Sequence, residues 1–175
     1  MHKKSSCFSF ALIAILMVPL FARAQDVTDP SLKAAFIYNV AKFNEWPEEN
    51  SPSKVFSMCV LGDAAVAEAL ERTVKGRLLR GAEISVTRLT RTGSVRGCRL
   101  LYLSGIKKEQ AANIVASIRG TPVLTISDLG GFHEYGGIVR LLFEDGQLRF
   151  TIDQESAKKS WLQLSTRILK LANTK

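Results

Sequence analysis

The chain has 175 residues, 46% of them hydrophobic, with a formal net charge of +8, two histidines and three cysteines. This length fits one domain with a substantial core, and no linker, repeat or low-complexity tract divides it. Because His2 lies in the leader described next, His133 is the only other histidine, which excludes a multi-histidine metal cage, and the lack of a Cys-x-x-Cys disfavours a thiol oxidoreductase.

Residues 1–24 read as a cleavable export signal. His2, Lys3 and Lys4 make a basic start, Phe8 to Leu20 a short apolar run, and Ala22-Arg23-Ala24 a small-residue cleavage site. As a helix that run reaches roughly 20 Å, short of the roughly 30 Å that a permanent anchor must cross. Cleavage is expected before Gln25. It removes Cys7, Lys3, Lys4 and Arg23 and leaves residues 25–175 as one periplasmic domain of charge +5. Export argues against a nucleic-acid partner.

The domain opens with Leu32 to Pro47, reading LKAAFIYNVAKFNEWP. Leu32, Phe36, Val40 and Phe43 share one face of a helix, with Trp46 beside them and Pro47 ending the run. The opposite side, Ala34, Ile37, Tyr38 and Ala41, leaves little charge for water. Either this helix is sandwiched within the fold or its second face meets another chain.

Val55 to Leu61 is rich in strand formers and ends at Gly62-Asp63, where Asp63 caps a helix with Val66, Ala69, Leu70 and Thr73 inward, closed by Lys75-Gly76. Glu83 to Leu89 and Cys98 to Leu103 follow as strands. Ser104 is placed to cap a helix with Ala111, Ile114, Val115 and Ile118 inward, stopped by Gly120. Pro122 to Ile126 is the next strand. Ile138 to Phe143 and Leu148 to Ile152 flank Glu144-Asp145-Gly146-Gln147, where Asp-Gly signals a tight antiparallel hairpin. A last helix carries Ala157, Trp161, Leu164, Ile168 and Leu171 inward, with Leu162 and Leu169 widening the stripe. The pattern predicts an α/β fold: a single-domain layered sandwich on one mixed sheet of about six strands flanked by helices, with a C-terminal hairpin and then a long helix.

Cys59 and Cys98 survive processing, and an even count in an exported chain is most simply one disulfide. Closing a loop of 39 residues stabilises by roughly 4 kcal/mol in the chain-entropy model. A structural bridge is the plainer reading and a redox sensor the sharper one. Between Arg72 and Arg99 eight basic residues (Arg72, Lys75, Arg77, Arg80, Arg88, Arg91, Arg96, Arg99) face a single acid, Glu83. They form a docking face, an attraction to anionic headgroups, or simply solvated loop arginines.

Ser127, Asp128 and His133 cluster after a strand, at the kind of edge where α/β folds bind ligands. Three readings compete there: Asp128 satisfying backbone donors of a polar loop, contact with a ligand, or catalysis. Gly130-Gly131 and Gly136-Gly137 lack the Lys and Ser or Thr that a phosphate-binding loop needs before a helix, so they read as turns of positive φ. Phe132 and Tyr135 between them are core plugs or an exposed aromatic contact. Asp128, Phe132, His133 and Tyr135 are therefore the candidate partner or ligand contacts; the residues point to no catalytic centre, metal or cofactor.

Nearly the whole processed length resembles the YfiR family of periplasmic proteins. The resemblance runs from Lys33-Ala34-Ala35-Phe36 through Phe43 and Trp46-Pro47 to Cys59-Val60-Leu61-Gly62 and Cys98. It continues with Val123 to Asp128, Phe132 with Gly136-Gly137, Leu148-Arg149-Phe150, and Leu164-Ser165 to Ala172. It implies a non-enzymatic repressor that holds an inner-membrane diguanylate cyclase inactive through its periplasmic part, lowering cyclic diguanylate and biofilm formation. It also implies that an OmpA-like outer-membrane lipoprotein draws the repressor away, that the chain forms a homodimer, and that Cys59 and Cys98 are bridged. Better-known members carry a second cysteine pair near the glycine-bounded loop and hairpin, absent here, and Asp153 stands where the family commonly has Asn. The alternative reading is a periplasmic sensor of a small molecule or cell-wall fragment with another output partner.

Overall fold

The computed structural model describes residues 30–47, 53–144 and 147–172. The export signal and the Asp145-Gly146 turn lie outside these residues. Helix α1 (Pro30–Lys42) starts with proline at its first position, where a missing N–H costs nothing and the fixed φ suits a helix. Strand β1 (Asn44–Glu45) follows, then β2 (Val55–Leu61), α2 (Ala64–Val74), β3 (Leu78–Leu79) and β4 (Ala82–Leu89). After β5 (Leu100–Leu103) come α3 (Lys108–Ser117), β6 (Leu124–Ser127) and a single 3₁₀ turn over Phe132–Tyr135. The hairpin β7 (Val139–Glu144) and β8 (Gln147–Ile152) precedes α4 (Gln154–Lys159), β9 (Gln163–Leu164) and α5 (Thr166–Leu171).

The main sheet has seven strands in the order β3-β4-β2-β5-β6-β7-β8, and β1 pairs with β9 in a separate two-stranded ribbon. Strands β4, β2, β5, β6 and β7 run parallel, and antiparallel β3 and β8 close the two edges. The mixed sheet matches the sequence expectation, with one more strand than the hydrophobic runs suggested, because β3 is only two residues long. The hairpin register pairs Glu144 with Gln147 across the turn.

Every residue of β5 and β6 is buried, as a strand covered on both faces requires. On one face Phe56, Met58, Val60, Leu100, Tyr102, Ile126 and Leu141 pack against α1, α2 and the C-terminal segment. On the other, Leu61, Leu101, Leu103 and Val123 pack against Ala111 and Val115 of α3 and against Phe132. Asp63 caps α2 as expected, its Oδ1 accepting from the Val66 N–H at 3.0 Å.

The strand order reverses between β2 and β5. Chain leaving β4 must pass β2 to reach β5, a parallel connection that ordinarily contains a helix. Here residues 90–99 cross as irregular chain. Cys98 is joined to Cys59 on β2, with Cα atoms 5.8 Å apart, and the Arg99 N–H donates to the Ser57 carbonyl at 2.9 Å. The disulfide thus fastens a crossover that has no helix to pack it down.

Three expectations need correction. First, α1 is sandwiched, as one of the two readings had it, but the small-residue face is the deeper one. Ala34, Ile37, Tyr38 and Ala41 are buried together with Val40, while Leu32 is 42% exposed and Phe36 and Phe43 are only partly covered. Small side chains let α1 approach α2 closely, and that contact outweighs the larger aromatic stripe. Second, Ser104 is not the cap of α3. The helix begins after Lys107 with no side-chain cap, and the Ser104 hydroxyl bonds elsewhere. Third, the long terminal helix is two short helices broken at Trp161. The Leu162 N–H returns to the Ala157 carbonyl and the Trp161 N–H to that of Lys158, each at 3.0 Å, and Trp161 has φ +58. This is a Schellman ending with tryptophan at the left-handed position that glycine usually holds. The break releases β9 to pair with β1, Asn44 opposite Leu164, which leaves Trp161 and Leu171 exposed rather than inward.

Candidate functional site

At the carboxyl ends of β5 and β6 a polar cluster forms around one carboxylate oxygen. Asp128 Oδ2 accepts from Lys33 Nζ at 2.6 Å, Tyr102 OH at 3.1 Å and Ser104 Oγ at 3.0 Å. The Lys33 side chain is 9% exposed and that of Asp128 20%. Burial first, and the negative Asp128 next, push the Tyr102 hydroxyl far above its ordinary pKa, so Tyr102 stays a protonated donor. The backbone-donor role expected for Asp128 is replaced by these side-chain bonds.

Ser127, Asp128 and His133 do not assemble into a relay. The Ser127 hydroxyl is buried and donates to the Leu103 carbonyl at 2.7 Å. His133 Nδ1 lies 2.8 Å from the Gly137 carbonyl and Nε2 2.7 Å from Thr151 Oγ1. A carbonyl only accepts, so Nδ1 donates to Gly137, while the Thr151 hydroxyl serves Nε2. Each group is committed to a different partner, and His133 ties the 3₁₀ turn to β8.

Of the two aromatics in that loop, Phe132 is a core plug with no exposed surface, and Tyr135 meets it edge-on at 5.5 Å between centroids. A Cβ on Gly137 would stand 2.2 Å from the Phe132 ring, which explains a glycine there on grounds of close approach. Gly136 has the positive φ the sequence suggested, +96°.

Several of the residues carrying the resemblance meet α1 or its flanks. Lys33 fastens its start to Asp128. Phe36 packs on Phe150 with centroids 4.7 Å apart. Beyond its end, Trp46 is buried edge-on to Phe56 and donates its indole N–H to the Arg99 carbonyl at 3.3 Å. The Ser165 N–H donates to the Phe43 carbonyl, and Ser165 then caps α5. Gly62 belongs to the same architecture: at φ +97 its Cβ would fall 1.8 Å from the Ser104 carbonyl oxygen, so the loops after β2 and β5 touch at the strand-order reversal. Backbone therefore meets backbone at the point where α/β folds commonly hold ligands, and a groove of about 190 Å³ remains beside it between Gly62, Asp63, Arg88 and Leu89.

The basic run is dispersed. Arg77 stacks over Tyr38, Arg99 over Phe56, and Arg88 bonds Glu68 and Glu71. These three are therefore engaged within the chain rather than projecting together as free charges.

Sequence reasoning missed the groove at the β1–β9 ribbon. It is about 460 Å³ and is lined by Trp46, Pro47, Arg80, Lys158 and Trp161 among others. Arg80 and Trp161 are the two non-glycine residues of positive φ among those described, at +53 and +58. Trp161 is 68% exposed. A bulky residue held in a left-handed conformation and left in water points to use rather than packing.

Among the described residues no helix is long and apolar enough to cross a membrane. A family model described as YfiR/HmsC-like matches residues 30–173, the stretch from the first residue of α1 to just past α5. The chain belongs to the YfiR/HmsC-like family.

Proposed function

We propose that this chain is an exported repressor that inhibits an inner-membrane diguanylate cyclase by binding its periplasmic domain, so lowering cyclic diguanylate and biofilm formation. The family match over residues 30–173 carries this reading. The arrangement of the polar residues supports it: Ser127, Asp128 and His133 are each spent on the fold, whereas Trp161 and Arg80 stand exposed on one groove. A disulfide suits an oxidising compartment, in keeping with removal of residues 1–24 on export. An OmpA-like outer-membrane lipoprotein relieves the inhibition by competing for the repressor, which acts as a homodimer.

The test is cyclic diguanylate in the native host with and without the gene, complemented by a copy retaining residues 1–24 and by one lacking them. A rise on deletion, reversed only by the exported copy, is expected. No change in the nucleotide, together with no binding of the purified chain to the cyclase's periplasmic domain at micromolar concentrations, would overturn the proposal.

A further inference from the structure

Helix α4 divides two grooves. One is the Trp161 groove; the other opens on the opposite side, between α4, the end of α3 and the start of β6. Its volume is about 420 Å³, within the range of small-molecule sites. Val115, Ile118 and Val123 give it an apolar floor. Arg119 lines it from the α3 side, Lys159 and Ser160 from α4.

Position separates these two cations from ordinary surface charge, since both line one concavity. Lys33, Arg88, Lys108, Arg149 and Lys158 each face a carboxylate, whereas other surface cations, Arg91 and Arg96 among them, take part in none of these pairs. Arg119 and Lys159 have no acidic partner among the described residues, and no Asp or Glu lines their groove. The nearest acid along α4, Glu155, pairs with Lys158 at 2.9 Å, and Asp153 at the helix cap takes both the N–H and the hydroxyl of Ser156, at 3.0 and 2.8 Å. Two like charges over an apolar concavity concentrate positive potential where water is partly excluded.

We propose that this groove binds a small organic anion with an apolar body, its acidic group held between Arg119 and Lys159 with the Ser160 hydroxyl as a further donor, and its body on Val115, Ile118 and Val123. Ser160 directly precedes Trp161, so occupancy on one side of α4 bears on the groove at the other.

The test titrates the purified processed chain with 8-anilinonaphthalene-1-sulfonate, an aromatic sulfonate, followed by its fluorescence and by amide chemical-shift mapping, with decanoate as competitor. Saturable binding at one site is expected, with shifts at Val123, Gly136 and Ser160. Arg119→Glu with Lys159→Glu should weaken it at least tenfold, decanoate should displace it, and Arg91→Glu with Arg96→Glu, the same charge change on the 90–99 crossover, should leave it unchanged. Non-saturable binding, shifts elsewhere, or equal weakening in both double variants would overturn the assignment. None of these outcomes depends on the cyclase.

Discussion

Lys33 and Asp128 are 95 residues apart in sequence and 2.6 Å apart in space, and their ion pair fixes the start of α1 to the carboxyl edge of the sheet. Tyr102 and Ser104 share the same carboxylate oxygen. Removing one member of such a pair leaves a largely desolvated charge behind, whereas removing both is far milder. Partial exposure of Asp128 places the single losses at the low end, about 3 kcal/mol each. Lys33→Met, Asp128→Leu and the double variant, compared by urea unfolding, should show the double costing clearly less than the two singles added. Additive losses would mean that the pair contributes nothing beyond its separate side chains.

Much of the architecture was legible from residue patterns because strands buried on both faces write themselves as mainly apolar runs, as Leu100 to Leu103 and Val123 to Ile126 do. The Asp63 cap and the hairpin were equally local. What escaped the sequence was decided by contacts between distant segments. The orientation of α1 depended on whether α2 would accept its small side chains or the sheet its aromatic ones, and both faces were apolar enough for either. The stripe from Ala157 to Leu171 fits a helix throughout, yet β9 gains a partner in β1 only if the helix stops at Ser160. Ser104 had the chemistry of a cap, but its hydroxyl donates to Asp128 and the helix starts only after Lys107, out of its reach. The exposed Trp161 carried no signal at all, since a left-handed tryptophan has no sequence pattern.

Asp153 carries a pH prediction. Desolvation alone would raise its pKa, but bonds from the Ser156 N–H and hydroxyl and the nearby His133 outweigh it, and the carboxyl ends below its usual value. A depressed folded-state value stabilises above the unfolded value of about 3.9 and ceases to do so as pH falls through the folded one. Asn is as good a helix cap as Asp, so Asp153→Asn should cost under about 1 kcal/mol at neutral pH. The difference from the parent chain should close below about pH 4. A gap that persists unchanged to pH 2.5 in thermal unfolding would contradict the assignment.

The Cys59–Cys98 bridge fastens the crossover 90–99, so Cys59→Ser should act on stability first. A loss of roughly 4 kcal/mol corresponds to a melting temperature lower by about 10 °C in a domain of this size. The surviving folded protein should still lower cyclic diguanylate. Unchanged melting with lost regulation would move the bridge from structure to signalling.

Gly62 tests the contact between the loops after β2 and β5. Its Cβ would lie 1.8 Å from the Ser104 carbonyl oxygen, at a φ of +97 that resists any side chain. Backbone cannot yield as a flexible side chain does, so Gly62→Ala should destabilise by more than about 2 kcal/mol. Gly76 has a similar φ, +70, with nothing within 4 Å of the same position. Gly76→Ala therefore measures the conformational part alone, and equal losses at the two sites would show that the contact with Ser104 is unimportant.

Trp161 separates stability from recognition most cleanly. It occupies the position of the Schellman ending where glycine is free of steric cost, and its ring is 68% exposed, so the fold gains little from it. Trp161→Gly should leave the melting temperature unchanged or raise it, since relief of left-handed strain of about 1 kcal/mol opposes the entropy glycine adds to the unfolded chain. Binding to the cyclase's periplasmic domain should weaken at least tenfold, because an exposed tryptophan beside Arg80 is the kind of pair that dominates interfaces. Trp161→Phe should keep part of the affinity while keeping the strain. A glycine variant that binds as tightly as the parent chain would remove this groove from the interface, and one that melts well below it would show the indole to be a packing element after all.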